Sequence, residues 1–387
     1  MRIAFLIESL ELAGAERVVL ELAHAGLATN CRTHVITLRH SRAFPCERIG
    51  EVRAVSLFQA EEFHWPRSIL AAVMRLRRTV QLLQPDVIAV HTPKAALIAA
   101  LARLKIPALW VLHGHDVCWT GETGRHRFSR AAQRWARRRL RAQVAAVSDS
   151  LAERAVQGLG IAREKITVIP NGVDTERFGF HERTPADDIV VCVLGRLVPW
   201  KGPMRALEAF GLLRRDFPKA RLWFVGDGSM KEELAAKVFA RGWDDSVIFW
   251  GMLQQPEERL EEATVLWMPS KSEGLPVACA EAMASGLPVL GFDVPGVHDL
   301  LKGGCGVLIP PNDTKALAEE TVLLIREGNR YKTIARAARN RVEREYSRDE
   351  MCSRHYELMR NLCGRQETPS GLAATDLESV HAGADRK

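Results

Sequence analysis

Short runs rich in Val, Ile and Leu recur along this chain, separated by stretches of helical length, and the series plays through twice. The first pass comprises Arg2 to Ile7, an amphipathic stretch from Ala15 to Ala28, then His34 to Leu38, Asp86 to His91 and Ala108 to His113. The second comprises Ile189 to Leu194, Arg221 to Val225, Val247 to Trp250, Val265 to Met268 and Pro288 to Phe292, with helical segments such as Met204 to Arg215 and Ser229 to Arg241 between them. Continuous branched runs of this length, joined through helices, predict parallel strands covered on both faces, which is a doubly wound α/β arrangement. Two such series predict two such sheets.

The length of 387 residues agrees with two domains. We therefore expect an α/β protein of two Rossmann-like domains facing across a cleft, with ligands at the carboxyl ends of the strands. The first domain is expected over 1–180 and the second over 181–345, with Asn171 to Asp174 and the polar stretch His181 to Asp188 as the linker. The segment 364–387, rich in Gly, Ala, Ser and Thr, is expected to be a disordered tail.

With 47% apolar and 26% charged residues, composition excludes disorder, collagen and small disulfide scaffolds. The eight cysteines contain no C-x-x-C pair, so neither a zinc ribbon nor a thioredoxin motif is spelled. No run reaches the roughly 20 apolar residues of a membrane-spanning helix. The start, MRIAFLIESLELAGAER, lacks a cleavage pattern and carries Glu8 and Glu11, so a cytoplasmic protein is expected. The net charge of +7 hides an asymmetry: residues 1–184 hold 27 Lys and Arg against 17 Asp and Glu, whereas residues 185–387 hold 27 against 30. A basic half beside a nearly neutral one points to an anionic surface or partner on one side.

Three motifs follow strands of the second series. Gly195-Arg196-Leu197-Val198-Pro199-Trp200-Lys201-Gly202 combines a planar donor fork with a mobile point charge, a pair suited to a diphosphate. Phe224-Val225-Gly226-Asp227-Gly228 is a glycine-rich strand end whose dinucleotide fingerprint is not completed, because residue 231 is Lys. Ser272-Glu273-Gly274-Leu275-Pro276-Val277, followed by Ala278-Cys279-Ala280-Glu281, reads as a loop entering a helix whose amino end offers free N–H groups to a phosphate. Glu273 and Glu281 flank that site, which makes sense if they meet neutral groups such as sugar hydroxyls. Each motif alone could be turn chemistry. Their succession at the ends of strands in one domain is harder to obtain from turns.

These segments, with Glu273 and Glu281 separated by seven residues, resemble the retaining nucleotide-sugar glycosyltransferases of family 4, which have the GT-B fold. Ala13-Gly14-Ala15-Glu16-Arg17, Ala146-Val147-Ser148-Asp149-Ser150 and Ile169 to Asp174 resemble further stretches of that family, so the likeness runs from about residue 1 to residue 360. The resemblance implies that Arg196 and Lys201 hold the donor diphosphate, Glu281 the ribose and Glu273 the transferred sugar. It adds Gly14, Gly195, Gly226, Gly228, Gly274, Leu275 and Pro276 to the donor site, with the backbone of Trp250, Met252 and Leu253 beside the nucleobase. It places His113 at the reaction centre, Glu16 and Asp116 on the acceptor side, and 346–363 as a helix crossing back to the first domain. No metal or other cofactor is implied, and no Asp-x-Asp motif occurs in the chain.

His113-Gly114-His115-Asp116 also admits a metal site, but a histidine does not follow the aspartate as a His-x-His-x-Asp-His hydrolase requires. Arg125 to Arg141 carries eight arginines and no acid, and Arg67 to Arg78 sets Arg75, Arg77 and Arg78 beside Ile69, Leu70, Val73, Met74 and Leu76. Such basic helices could lie on anionic lipid or simply be solvated faces, and without a stacking-aromatic set nucleic acid is not expected. The expected partners are a UDP- or GDP-sugar, a lipid-linked or saccharide acceptor, and the inner face of the cell membrane. A nucleotide-sugar epimerase and a non-catalytic scaffold remain as alternatives.

Overall fold

The computed structural model describes residues 1–11, 14–40, 52–59, 61–114, 124–184 and 188–364. Two fully parallel sheets form. The first contains β1 (Arg2–Ile7), β2 (Arg32–Thr37), β3 (Arg53–Ser56), β4 (Val87–Val90), β5 (Ala108–Leu112), β6 (Gln143–Ala146) and β7 (Ile166–Val168), in the order β3-β2-β1-β4-β5-β6-β7. The second contains β8 (Val190–Leu194), β9 (Arg221–Val225), β10 (Val247–Gly251), β11 (Val265–Met268), β12 (Val289–Phe292) and β13 (Val307–Ile309), in the order β10-β9-β8-β11-β12-β13. In both, strand order reverses at the first strand of the series, so the loops after β1 and β8 open beside a topological switch point, where doubly wound sheets bind ligands.

In the first domain the sheet is wrapped by α1 (Gly14–Ala28), α2 (Ile69–Leu83), α3 (Pro93–Ala102), α4 (Gly124–Leu140) and α5 (Asp149–Leu159). Right-handed crossovers put α2, α3 and α4 side by side on one face and α1 on the other. The second domain carries α6 (Pro203–Leu213), α7 (Lys231–Ala240), α8 (Glu257–Glu262), α9 (Val277–Ala284), α10 (Val297–Leu301), α11 (Thr314–Arg326) and α12 (Gly328–Glu345). Burial follows the double covering: Ile3 to Ile7 and Val265 to Trp267 have no solvent exposure. Trp267 in the second core satisfies its indole N–H on Thr321 Oγ1 at 2.9 Å.

The last helix, α13 (Arg348–Leu362), packs on α1 of the first domain, where Tyr356 donates to the Leu22 carbonyl at 2.7 Å. The chain thus crosses between domains twice, and the crossings touch. Val173 N–H donates to the Tyr346 carbonyl at 2.9 Å, and Arg348 N–H donates back to the Val173 carbonyl at 3.1 Å. Asn171 to Asp174 is therefore no loose linker: Asn171 and Val173 are buried, and a Cβ on Gly172 would lie 2.5 Å from the Ser347 carbonyl oxygen. Nor does the polar stretch begin as a free one. His181 N–H donates to the Ser285 carbonyl, and the Arg183 guanidinium bonds the Leu260, Ala263 and Ser285 carbonyls of the second domain.

Candidate functional site

The carboxyl ends of the two sheets face one another across a cavity of about 430 Å³. Lining it are Gly14, Glu16, His113, Gly195, Arg196, Lys201, Gly226, Met252, Leu253, Glu273, Gly274, Leu275, Pro276 and Glu281. Asp116, His115 and Ala13 lie outside the described residues. Trp250 and Gly228 are not in the lining. The Trp250 side chain instead packs edge-on to Trp223 at 5.5 Å and lies 4.5 Å beneath the Arg259 guanidinium. Gly228 serves loop packing, since a Cβ there would sit 2.4 Å from the Leu197 carbonyl oxygen.

Local sequence explains how the loops reach the cavity. Gly195 and Gly226 have φ of +144° and +142°, values that side chains disfavour, and a Cβ on Gly226 would fall 2.0 Å from the Gly195 carbonyl oxygen. The strand ends of β8 and β9 can therefore cross closely and turn Arg196 outward. Pro276 immediately precedes α9, and the amino end of this helix meets that of α1: Val277 Cγ2 lies 3.4 Å from where Gly14 would carry a Cβ. Two helix amino ends converging at one cleft concentrate unpaired N–H groups and positive dipole ends, the setting that holds phosphate.

The second domain's loop is gripped by the first. Ser148 caps α5 and also donates to the Gly274 carbonyl at 2.8 Å; Arg154 donates to the Glu273 carbonyl at 2.7 Å; Asn171 donates to the Leu275 carbonyl at 2.9 Å. Gly274 itself lies against the His113 backbone so tightly that a Cβ would be 2.0 Å from the His113 oxygen.

Charges in the cleft are matched across elements. Lys201 Nζ bonds both oxygens of Glu273, at 2.7 and 2.9 Å, in a pair whose carboxylate is almost wholly buried. Arg17 of α1 pairs with Glu281 of α9. Glu273 and Glu281, which flank the expected anion site, thus each have their own cation, while Arg196 stands exposed over the Trp200 ring at 5.5 Å. On the first-domain wall, Lys94 bonds Glu8 at 2.7 Å and Arg39 bonds Glu11 at 2.5 Å.

Glu16 sits in the first turn of α1 facing the cleft, and desolvation by the surrounding protein pushes its carboxyl up to about 7 against the opposing pull of its backbone hydrogen bond and of Arg196. His113 Nε2 lies 2.8 Å from His91 Nδ1, with the rings stacked at 5.1 Å. Burial holds His113 down to about 3 and His91 well below the usual range, with His355 further disfavouring charge on both and His113 disfavouring it on His91. His113 is neutral at physiological pH and serves as a hydrogen-bonding group, not a cation. Arg17, Ser148 and Asn171 lie in stretches that resemble the family but carry no expected role there; His91 and Arg154 lie outside them, and the sequence signals His91 only as the end of a parallel strand.

Part of the basic character of the first domain is structural. Arg75 donates to the Leu57 carbonyl and covers the Phe58 ring at 4.1 Å, Arg77 bonds the Ala102 carbonyl, and Arg134 the Gly158 carbonyl. Val73 and Leu76 of α2 are core, whereas Leu70 and Met74 are 70% and 56% exposed.

Comparison with known proteins agrees with this architecture. The family model described as Glycosyltransferase Family 4 matches residues 12–177, and the one described as Glycosyl transferases group 1 matches residues 174–341. The chain is 30% identical to the 2-deoxystreptamine N-acetyl-D-glucosaminyltransferase of Streptomyces fradiae over 92% of its own length and 90% of that protein's. It is 33% identical to the putative teichuronic acid biosynthesis glycosyltransferase TuaC of Bacillus subtilis over 65% of its own length. It spans 64% of TuaC and 23% of an exopolysaccharide phosphotransferase of Streptomyces coelicolor, to which it is 30% identical over 56% of its own length. Among solved structures, Anabaena HepE in complex with UDP and glucose superposes with a TM-score of 0.79 at 22% identity, covering 93% of this chain and 100% of that one. With two doubly wound domains closing on a shared cleft and both halves matched by their family models, the chain belongs to the family 4, group 1 glycosyltransferases and has the GT-B fold.

Proposed function

We propose that the protein is a retaining glycosyltransferase that moves one sugar from a nucleotide-sugar to a lipid-linked or surface-polysaccharide precursor, without a resident metal. The observation carrying this reading is the convergence of two helix amino ends, Arg196 and the Lys201–Glu273 pair on one cavity. Cleaving a sugar–diphosphate bond leaves negative charge on the departing phosphate, and donors fixed in advance at that place lower the barrier. Arg196, Lys201 and the N–H groups at the start of α9 supply such donors. Glu281 meets the ribose and Glu273 the transferred sugar. His113, neutral, hydrogen-bonds near the reacting carbon, and Glu16 faces the acceptor. The acceptor hydroxyl attacks from the leaving-group face; the bond to the diphosphate breaks, the new glycosidic bond forms, and the hydroxyl proton passes to the departing phosphate. The UDP bound by HepE and the polymer named for TuaC support a UDP-sugar donor and an envelope-polymer acceptor.

The reading extends to a cytoplasmic enzyme peripheral to the membrane. Trp65, Leu70 and Met74 are exposed beside Arg67 and Arg78, and Trp135 is exposed beside Arg138 and Arg139. Lys94, in the cavity wall, lies 5.9 Å from the Trp65 ring, which brings this patch to the cleft rim. Among the described residues no helix is long and apolar enough to cross a membrane.

The test is purified protein against UDP-, GDP- and ADP-sugars with lipid-linked acceptors. Acceptor-dependent release of one nucleoside diphosphate is expected. Absence of both binding and release with every donor refutes the proposal, and an isomerised sugar formed without acceptor would make the protein an epimerase.

A further inference from the structure

Glu281 is 3% exposed, and its two oxygens are treated differently. Oε1 accepts from Arg17 Nη1, a residue of the other domain. Oε2 is buried and has no hydrogen-bond partner among the described residues. A buried carboxylate oxygen left bare costs more than a made hydrogen bond returns, so this half of the group is built for a donor that arrives with a ligand. Arg177, a further cation near Glu281, is spent on Glu257 at 2.9 and 3.0 Å and on the Gln254 carbonyl at 2.8 Å. With its charge already met by Arg17, Glu281 needs a neutral donor such as a hydroxyl.

Arg17 and Glu281 also occupy a boundary. Both line the catalytic cleft, and both line a second cavity of about 730 Å³ behind it, between α1 and the segments around Asp174 and Gln254. Removing the guanidinium would join the two spaces and free the carboxylate to rotate away from the cleft.

We infer that Arg17 is a positioning residue for the donor ribose: by fixing Oε1 of Glu281 from the opposite domain, it presents Oε2 to a ribose hydroxyl and makes recognition of that hydroxyl depend on the docking of the two domains. The inference rests on the reading that Glu281 meets the ribose. Arg17 touches no substrate and acts through Glu281 alone. A nucleotide that lacks both ribose hydroxyls loses the interaction Arg17 prepares, and so gains nothing from Arg17.

Calorimetric titration of the full chain with UDP, GDP and ADP and their 2′,3′-dideoxy counterparts, in wild type and in Arg17→Ala, Arg17→Lys and Glu281→Gln, tests it. Wild type should prefer the ribonucleotide by at least about tenfold, the worth of a hydrogen bond to a charged group. Arg17→Ala should lose most of that preference while keeping its affinity for the dideoxynucleotide, and Arg17→Lys should restore part of it. The ratio is internal to each variant, so general loosening of the fold, which weakens both ligands alike, does not imitate the result. If Glu281→Gln abolishes the preference and Arg17→Ala and Arg17→Lys both keep it in full, the role of Arg17 is overturned and the ribose reading stands. If Glu281→Gln keeps the preference, the ribose reading falls and this inference with it. Binding of none of the six nucleotides overturns both.

Discussion

Gly274→Ala adds one methyl group at the point where the two domains come closest. The new Cβ would lie 2.0 Å from the His113 oxygen, 2.8 Å from its carbonyl carbon and 3.0 Å from Gly114 Cα, all backbone atoms that no rotamer can move. Gly274 is not among the residues with positive φ, so alanine is not strained by its own conformation and the contact is the whole effect. Restoring ordinary van der Waals separation requires a shift of about 1.4 Å at this point. Such a shift stretches the bonds from Ser148, Arg154 and Asn171 to the carbonyls of Gly274, Glu273 and Leu275, now 2.8, 2.7 and 2.9 Å, beyond hydrogen-bonding range. At about 1 kcal/mol net each, domain docking loses roughly 3 kcal/mol. Displacing reacting groups by an ångström can cost about a hundredfold in rate. We therefore expect turnover to fall about a hundredfold, with the radius of gyration from solution scattering increased and far-ultraviolet circular dichroism unchanged. Wild-type turnover with an unchanged scattering profile would refute the reasoning.

Further outcomes follow from the cleft and from the basic surface. Because the Glu16 carboxyl is raised from 4.5 to about 7, the folded chain keeps a proton that the unfolded chain loses, and stability falls as pH rises through that window by up to about 3 kcal/mol. Urea midpoints at pH 5 and pH 8 should show Glu16→Gln more resistant than wild type at the higher pH alone; equal midpoints at both would contradict the burial argument. Burial of His113 acts oppositely, with its contribution present above pH 6.5 and lost as pH falls toward about 3. Arg196→Ala should lower turnover at least about a hundredfold with melting temperature unchanged. Lys201→Ala should lower both, with Glu273→Gln in the same chain recovering the stability; near wild-type turnover in both single variants would remove the diphosphate role. In flotation, wild type should rise with vesicles containing phosphatidylglycerol and not with phosphatidylcholine alone, and Arg138→Glu with Arg139→Glu should abolish this. Equal flotation of that variant would exclude the exposed arginines as the contact.

The central strands were legible because burial on both faces writes itself as an unbroken branched run, as in Val190 to Leu194. Strands β3 and β7 were not: Arg53 to Ser56 is only partly buried, Ile166 to Val168 is three residues long, and each is an edge strand with one neighbour. β6 was hidden by composition, since Gln143-Val144-Ala145-Ala146 pairs two β-poor alanines with one branched residue. Site residues within one loop, such as Arg196 with Lys201 or Glu273 with Gly274, share a local segment and could be read together. Partners across the cleft could not, for Arg17 and Glu281 are 264 residues apart and Ser148 and Gly274 are 126 apart. Which arginines of α2 and α4 tie down the fold was not legible, because a guanidinium on a backbone carbonyl and one in solvent look alike in sequence.

The paired crossings at Val173 and Ser347 limit how such a molecule can move. One covalent strand between two bodies leaves torsion about its own axis free, so each opening could return the domains in a different orientation. Two strands held by reciprocal backbone bonds remove that torsion and leave bending across the pair. Opening across this pair is expected to follow a single angular coordinate, and closing to bring the Gly274 loop back onto the His113 carbonyl, and within reach of Ser148, Arg154 and Asn171, in one alignment.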